Sequence, residues 1–153
     1  MKNEKTVLCY LKNNDQYLLM LRNKKSHDIN EGKWIGIGGH IEEGETKEQA
    51  VIREVKEETG LTLLGFDYRG EILFINNEYQ EIMYLFVSDD FVGELIDCDE
   101  GELSWINQNK VFDLNLWDGD RIFLKKLFFT NEIIKMKLVY KGNQLIESKE
   151  GGF

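Results

Sequence analysis

Apolar and polar positions alternate in short runs along most of the chain, and that period predicts strands. Residues 6–11 and 17–22 are two such runs, and Asn13-Asn14-Asp15 between them reads as a hairpin turn. Residues 23–33 are polar and read as a loop, and residues 34–39 are apolar and glycine-rich. Residues 61–68, 71–75, 82–88 and the short 104–106 read as further strands. Residues 136–140 and 144–147 flank Lys141-Gly142-Asn143 as a final hairpin. Two stretches switch to helical spacing. Thr46-Lys47-Glu48-Gln49 fits a capping box, with Thr46 as N-cap and Gln49 reaching back to its amide. Ala50, Val51 and Val55 follow at helical intervals, and Gly60 stands where a helix closes. Residues 118–129 form the second, with Ile122, Leu124, Leu127 and Phe128 apolar. Many strands with two substantial helices predict one mixed α+β domain over residues 1–153.

Composition narrows the setting. Apolar residues are 42% of the chain, enough for one ordinary core, and with no proline the turns must use Gly, Asn and Asp. No apolar run is long enough for a membrane span, and the first residues do not read as a signal peptide. Two cysteines, Cys9 and Cys98, suggest idle thiols in a reducing cytoplasm rather than a disulfide framework. The net charge of −9, without a basic stripe, argues against a polymeric nucleic acid as partner. A small phosphate-bearing ligand stays compatible, provided that a cation mediates.

The first helix carries the candidate chemistry. At about 100° per residue, Glu54, Glu57 and Glu58 fall on one face. Like charges so placed oppose one another by about 0.2–0.5 kcal/mol per pair. Arg53 offsets Glu57, but Glu54 and Glu58 have no cation three or four residues away. A divalent metal would remove the repulsion, and hard oxygen ligands suit Mg²⁺, with Mn²⁺ as a substitute. Charge pattern alone equally describes a solvated face. The spacing separates the two: Gly39, five residues, Glu45, seven residues, Arg53-Glu54-Val55, one residue, Glu57-Glu58, one residue, Gly60-Leu61. These nine positions over 23 residues match the box of the Nudix hydrolase family, and the chain resembles that family.

The resemblance implies a mixed sheet sandwiched between helices and hydrolysis of a nucleoside diphosphate linked to another group. It implies Glu54, Glu57 and Glu58 as metal ligands, with the Gly38 carbonyl and Glu100 as further ligands. Arg53 and Glu45 would pair to hold the helix face; Gly39, Gly44 and Gly60 would serve backbone geometry at turns, and Gly39 would also border the substrate. Glu57 is the favoured general base, with Glu54 and Glu100 as rivals, and Glu100 reads equally as a surface acid. Over roughly residues 7–147 the resemblance extends to the MutT-type 8-oxo-dGTP diphosphatase branch, through residues 32–39, 95–101 and 116–120. There Trp117 would stack on a purine and Asp120 accept from its polar edge. Core anchoring and a helix-start acid are the competing readings of those two. Two positions depart from the branch: Gly119 replaces a second Asp, and Ile35 replaces an Asn that touches the base. His40, where many relatives have Lys, either touches phosphate or is simply exposed. His27 carries no site signal, Trp34 reads as packing, and Phe74, Tyr79 and Tyr84 line a pocket or join the core. The expected reaction is Mg²⁺-dependent conversion of an oxidised purine triphosphate, such as 8-oxo-dGTP, to the monophosphate and pyrophosphate. Other small diphosphates, RNA 5′ ends and a non-catalytic nucleotide-binding module are the alternatives.

Overall fold

The first strand, β1 (Lys2–Asn13), starts earlier than its apolar run because it lies parallel to β6 (Tyr79–Val92) from Lys2↔Tyr79 through Leu11↔Ser88. A computed structural model describes residues 2–24, 28–151 and 153 of the chain. His27 and the centre of the polar segment 23–33 therefore lie outside the described residues. The predicted hairpin forms: Asn14 takes a positive φ of 55° and β2 (Gln16–Leu21) returns antiparallel, pairing Lys12↔Tyr17 and Asn13↔Gln16. The apolar, glycine-rich segment splits in two. β3 (Trp34–Ile35) pairs with β2, and β4 (Ile37–His40) pairs with β1.

Helix α1 (Lys47–Thr59) begins at the predicted box, since Gln49 N–H donates to the Thr46 hydroxyl and the Gln49 side chain accepts from Thr46 N–H. Gly60 ends it with a φ of 82°. The two strands expected over 61–68 and 71–75 are one, β5 (Thr62–Asn76), which keeps pairing with β6 through irregular register around Gly65 and Tyr68/Gly70. Local sequence signals cannot distinguish a bulge from a strand break, because both interrupt the alternation. Then follow β7 (Glu102–Asn107) on β2, a single 3₁₀ turn at Val111–Asp113, and α2 (Asp118–Phe129). The last hairpin joins β8 (Ile134–Lys141), parallel to β5, to β9 (Gln144–Glu150).

Residues in cross-strand register share a face of the sheet. Val7, Cys9, Leu11, Ile37 and Phe86 pack against Ala50, Val51 and Val55 of α1. Tyr10, Ile72, Leu85, Met136 and Leu138 pack against Phe123, Leu124, Leu127 and Phe128 of α2. One helix therefore covers each face, as expected for a mixed sheet sandwiched between helices. Buried Arg69 of β5 fixes the end of α2 by donating to the carbonyls of Leu127, Thr130 and Glu132, groups that the helix itself leaves without partners. Among the described residues no helix is long and apolar enough to cross a membrane.

Candidate active site

The box folds as strand, loop and helix, and it brings the glutamates of α1 against β4. Glu54, Glu57, Glu58, Cys98, Asp99 and Glu100 line one open cavity of about 250 Å³. Glu54 lies under Gly39: a Cβ there would stand 2.6 Å from its carboxylate, so only glycine permits this approach. Glu58 is only 7% exposed and accepts from Gly38 N–H at 3.1 Å. Burial, then the Glu100 hydrogen bond and charge, then Glu54, raise the Glu58 carboxyl to about 10. Burial also raises Glu54, against the pull of Arg53.

Arg53 organises the rest. Its Nε and Nη2 grip both oxygens of Glu45 at 2.7 and 3.0 Å, and Nη2 also donates to the His40 carbonyl at 3.0 Å. This fork holds Glu45 down to about 2, helped by Glu42 N–H. Nη1 reaches Glu54 at 2.8 Å and Glu57 at 3.2 Å. Glu54 thus has a cation after all. The expectation from helical spacing considered residues three and four away, but an arginine next in sequence is long enough to fold across. Glu58 has no cationic partner among the described residues.

The loop with Glu100 is tied to the chain after β2. Lys24 Nζ donates to the Cys98 carbonyl at 2.7 Å, and Arg22 Nη1 lies 3.5 Å from the Glu100 carboxylate while its Nε bonds Asp28 at 2.7 Å. Sequence reasoning missed Arg22 and Lys24. No spacing rule links them to residues some 74 positions away, and each looked like an ordinary charge beside a polar loop. Both thiols are free and buried, and Cys98 faces the cavity.

Among the described residues no three acidic, His or Cys side chains are drawn into a ready-made metal shell. Arg53 engages Glu54 and Glu57, and Gly38 N–H engages Glu58. The donor set nevertheless fits Mg²⁺ or Mn²⁺, because Glu54, Glu57, Glu58 and Glu100 offer only hard oxygens around one cavity.

The predicted base-reading pair lies on the other face of the sheet, under the start of α2. Trp117 is the N-cap residue, and its indole N–H donates to Asn30 at 2.7 Å. Its ring meets Tyr140 and Phe74 edge-on at 5.2 and 6.3 Å, and Lys33 Nζ stands 4.9 Å over it. Asp120 is 9% exposed, and among the described residues its carboxylate has no hydrogen-bond donor or ion pair. Burial, opposed by Lys33 and reinforced by Glu81, raises it to about 7. The departure at Gly119 has a packing cause: a Cβ there would meet Leu138 at 2.5 Å and the Tyr140 hydroxyl at 2.8 Å. His40 is largely exposed, its imidazole 3.7 Å from Glu4. Trp34 and Phe74 pack on the α2-side core, whereas Tyr84 packs on the α1 side.

Comparison with known proteins agrees with this geometry. The NUDIX domain model matches residues 2–127. Nudix hydrolase YvcI of Bacillus subtilis, itself uncharacterized, is 30% identical over 123 residues, which cover 76% of this chain and 74% of that protein. The oxidized purine nucleoside triphosphate hydrolase of Danio rerio is 35% identical over 103 residues, 66% of each chain. A MutT protein from Bacillus halodurans has the same fold, with a TM-score of 0.87 over 95% of this chain and 96% of its own at 24% identity. With a box, a sheet and a domain model all in agreement, this chain belongs to the Nudix hydrolase family.

Proposed function

We propose that this Nudix hydrolase is a Mg²⁺-dependent nucleoside triphosphate pyrophosphohydrolase that takes oxidised purine nucleotides such as 8-oxo-dGTP. The observation that carries the substrate reading is Asp120. Asp120 is nine-tenths buried as a residue, among the described residues no donor reaches its carboxyl, and its oxygens stay accessible to an incoming N–H group. It stands one helical turn after Trp117, where a base bearing N–H groups would supply that donor. The likeness to the oxidized purine hydrolase of Danio rerio supports the same class.

In this reading Glu54, Glu57 and Glu58, with Glu100 and the Gly38 carbonyl, hold the metal, and the chemistry a bound divalent cation supplies is positive charge against the phosphate oxygens. The Glu45–Arg53 fork keeps the glutamate face in place. Glu57 accepts a proton from the attacking water, because its side chain is 59% exposed where that of Glu54 is 13%. Water then adds across the phosphoanhydride between the α and β phosphorus atoms, which releases the monophosphate and pyrophosphate. Glu57→Gln should lower kcat by about 10²–10⁴-fold with little change in KM. If that variant keeps most of its turnover with Mg²⁺ present, the base is Glu54 or Glu100.

The deciding experiment is a kinetic panel of 8-oxo-dGTP, dGTP, other nucleoside triphosphates, ADP-ribose and a diadenosine polyphosphate. The expected result is highest kcat/KM on 8-oxo-dGTP with pyrophosphate released. A preference for ADP-ribose or a dinucleoside polyphosphate would overturn the substrate assignment and leave the family intact.

A further inference from the structure

The α2 face of the sheet holds another carboxylate that the chemistry above does not use. Glu81 on β6 is in register with Phe74 on β5 and with Glu4 on β1, so its side chain lies on the face that α2 covers. Each of its oxygens is fixed by a hydroxyl: Thr6 donates to Oε2 at 2.8 Å and Tyr79 donates to Oε1 at 2.5 Å. An ionised carboxylate has about four acceptor positions, so two donors leave capacity for a third and a fourth. Glu81 is half-buried rather than enclosed, so a ligand can still reach those positions. Phe74 spans the distance to the Asp120 side, with its ring 6.2 Å from Tyr79 and 6.3 Å from Trp117. The charge of Glu81 is felt at Asp120. Acidic residues on a surface need not mark a site, but Asp120, nine-tenths buried and without a donor among the described residues, independently points to a ligand here.

We infer that Glu81 is a second base-reading residue, whose carboxylate accepts a hydrogen bond from the exocyclic amino group of a guanine-type base and thereby favours 2-aminopurine nucleoside triphosphates over those without that group. The inference rests on the nucleotide reading given above and extends it from one carboxylate to two. Thr6 and Tyr79 act as positioning residues: they hold the carboxylate in one rotamer, so that little side-chain freedom is lost when the base binds. An amide in its place could accept from only one of the two hydroxyls as they stand; the hydroxyl facing its NH2 would have to turn and accept, and the amide would present donors as well as an acceptor towards the base.

The test compares dGTP with dITP, which differ only in that amino group. For the wild-type protein with Mg²⁺, kcat/KM should favour dGTP by about tenfold or more, the usual scale for a hydrogen bond to a charged group. Glu81→Gln should bring the ratio close to one, mainly through KM. Tyr79→Phe, which keeps the carboxylate and frees one oxygen, should lower the ratio part of the way. Calorimetric binding of dGMP and dIMP should follow the same order, and binding of dIMP also shows that each variant is folded. A role confined to structure would weaken both members of each pair equally, so an unchanged ratio in Glu81→Gln overturns the assignment. Equal use of dGTP and dITP by the wild type overturns it too, while the nucleotide reading stands. Hydrolysis of neither nucleotide overturns both.

Discussion

Asp120 shows how a single residue can be legible in type and illegible in state. Its sequence position suggested either a base reader or a helix-start acid, and helix-start acids are usually exposed and ionised. Here the carboxyl is buried and is raised from 3.8 to about 7. The folded state therefore binds a proton more tightly than the unfolded state, so Asp120 makes stability fall as pH rises from about 4 to about 7 and level off above that. Asp120→Asn removes the titration. Its melting temperature should exceed that of the wild type at pH 8, the gain should shrink towards pH 4, and kcat/KM on purine nucleotides should drop by about tenfold or more. Calorimetric melts across that range, paired with kinetics, check both halves. The Arg53 fork is the opposite case: a charge pair proposed from the box, with Glu57 expected from helical spacing, whose reach to Glu54 only the folded structure could reveal.

At the scale of elements, α1 is where local sequence and tertiary placement agree most closely. The capping box, the apolar stripe and the terminal Gly60 all operate as their spacing predicts. Thr46→Ala removes the acceptor for Gln49 N–H and should cost about 1 kcal/mol in chemical denaturation. Activity should persist wherever the variant remains folded, because Thr46 contacts none of the cavity carboxylates in the hydrogen bonds that α1 makes. Strands were less legible. The extension of β1 to Lys2 and the fusion of two predicted strands into β5 depend on partners, β6 and β8, that lie far along the chain. A ladder hydrogen bond is made with the neighbouring strand, so a strand's ends are decided by that neighbour and not by its own residues. Helix hydrogen bonds close within four residues, which is why helix ends can be read locally.

At the scale of the whole molecule, a chain of net charge −9 concentrates four glutamates around one cavity. Cation binding to the folded state alone should therefore stabilise it. Addition of Mg²⁺ at 100 times its dissociation constant should contribute about 2.7 kcal/mol, read as a rise in melting temperature that EDTA reverses. Glu58→Gln should reduce that rise more than it changes the melting temperature without metal, since Glu58 is the most deeply enclosed of the three α1 glutamates proposed as ligands. An equal rise in both proteins would remove Glu58 from the ligand set. The sequence by itself determined the family, because the box is a fixed spacing within one loop and one helix, where geometry follows from the order of residues. It likewise determined the all-oxygen donor chemistry and the balance of strands and helices. Only the tertiary structure decided which distant groups meet that local unit. The Arg22 and Lys24 ties to the Glu100 loop, the close packing of Leu138 and Tyr140 at Gly119 and the Thr6 hydrogen bond to Glu81 all join segments far apart in the chain. Such contacts leave no periodic trace in sequence, since burial and distance are properties of the packed sheet and not of any one segment.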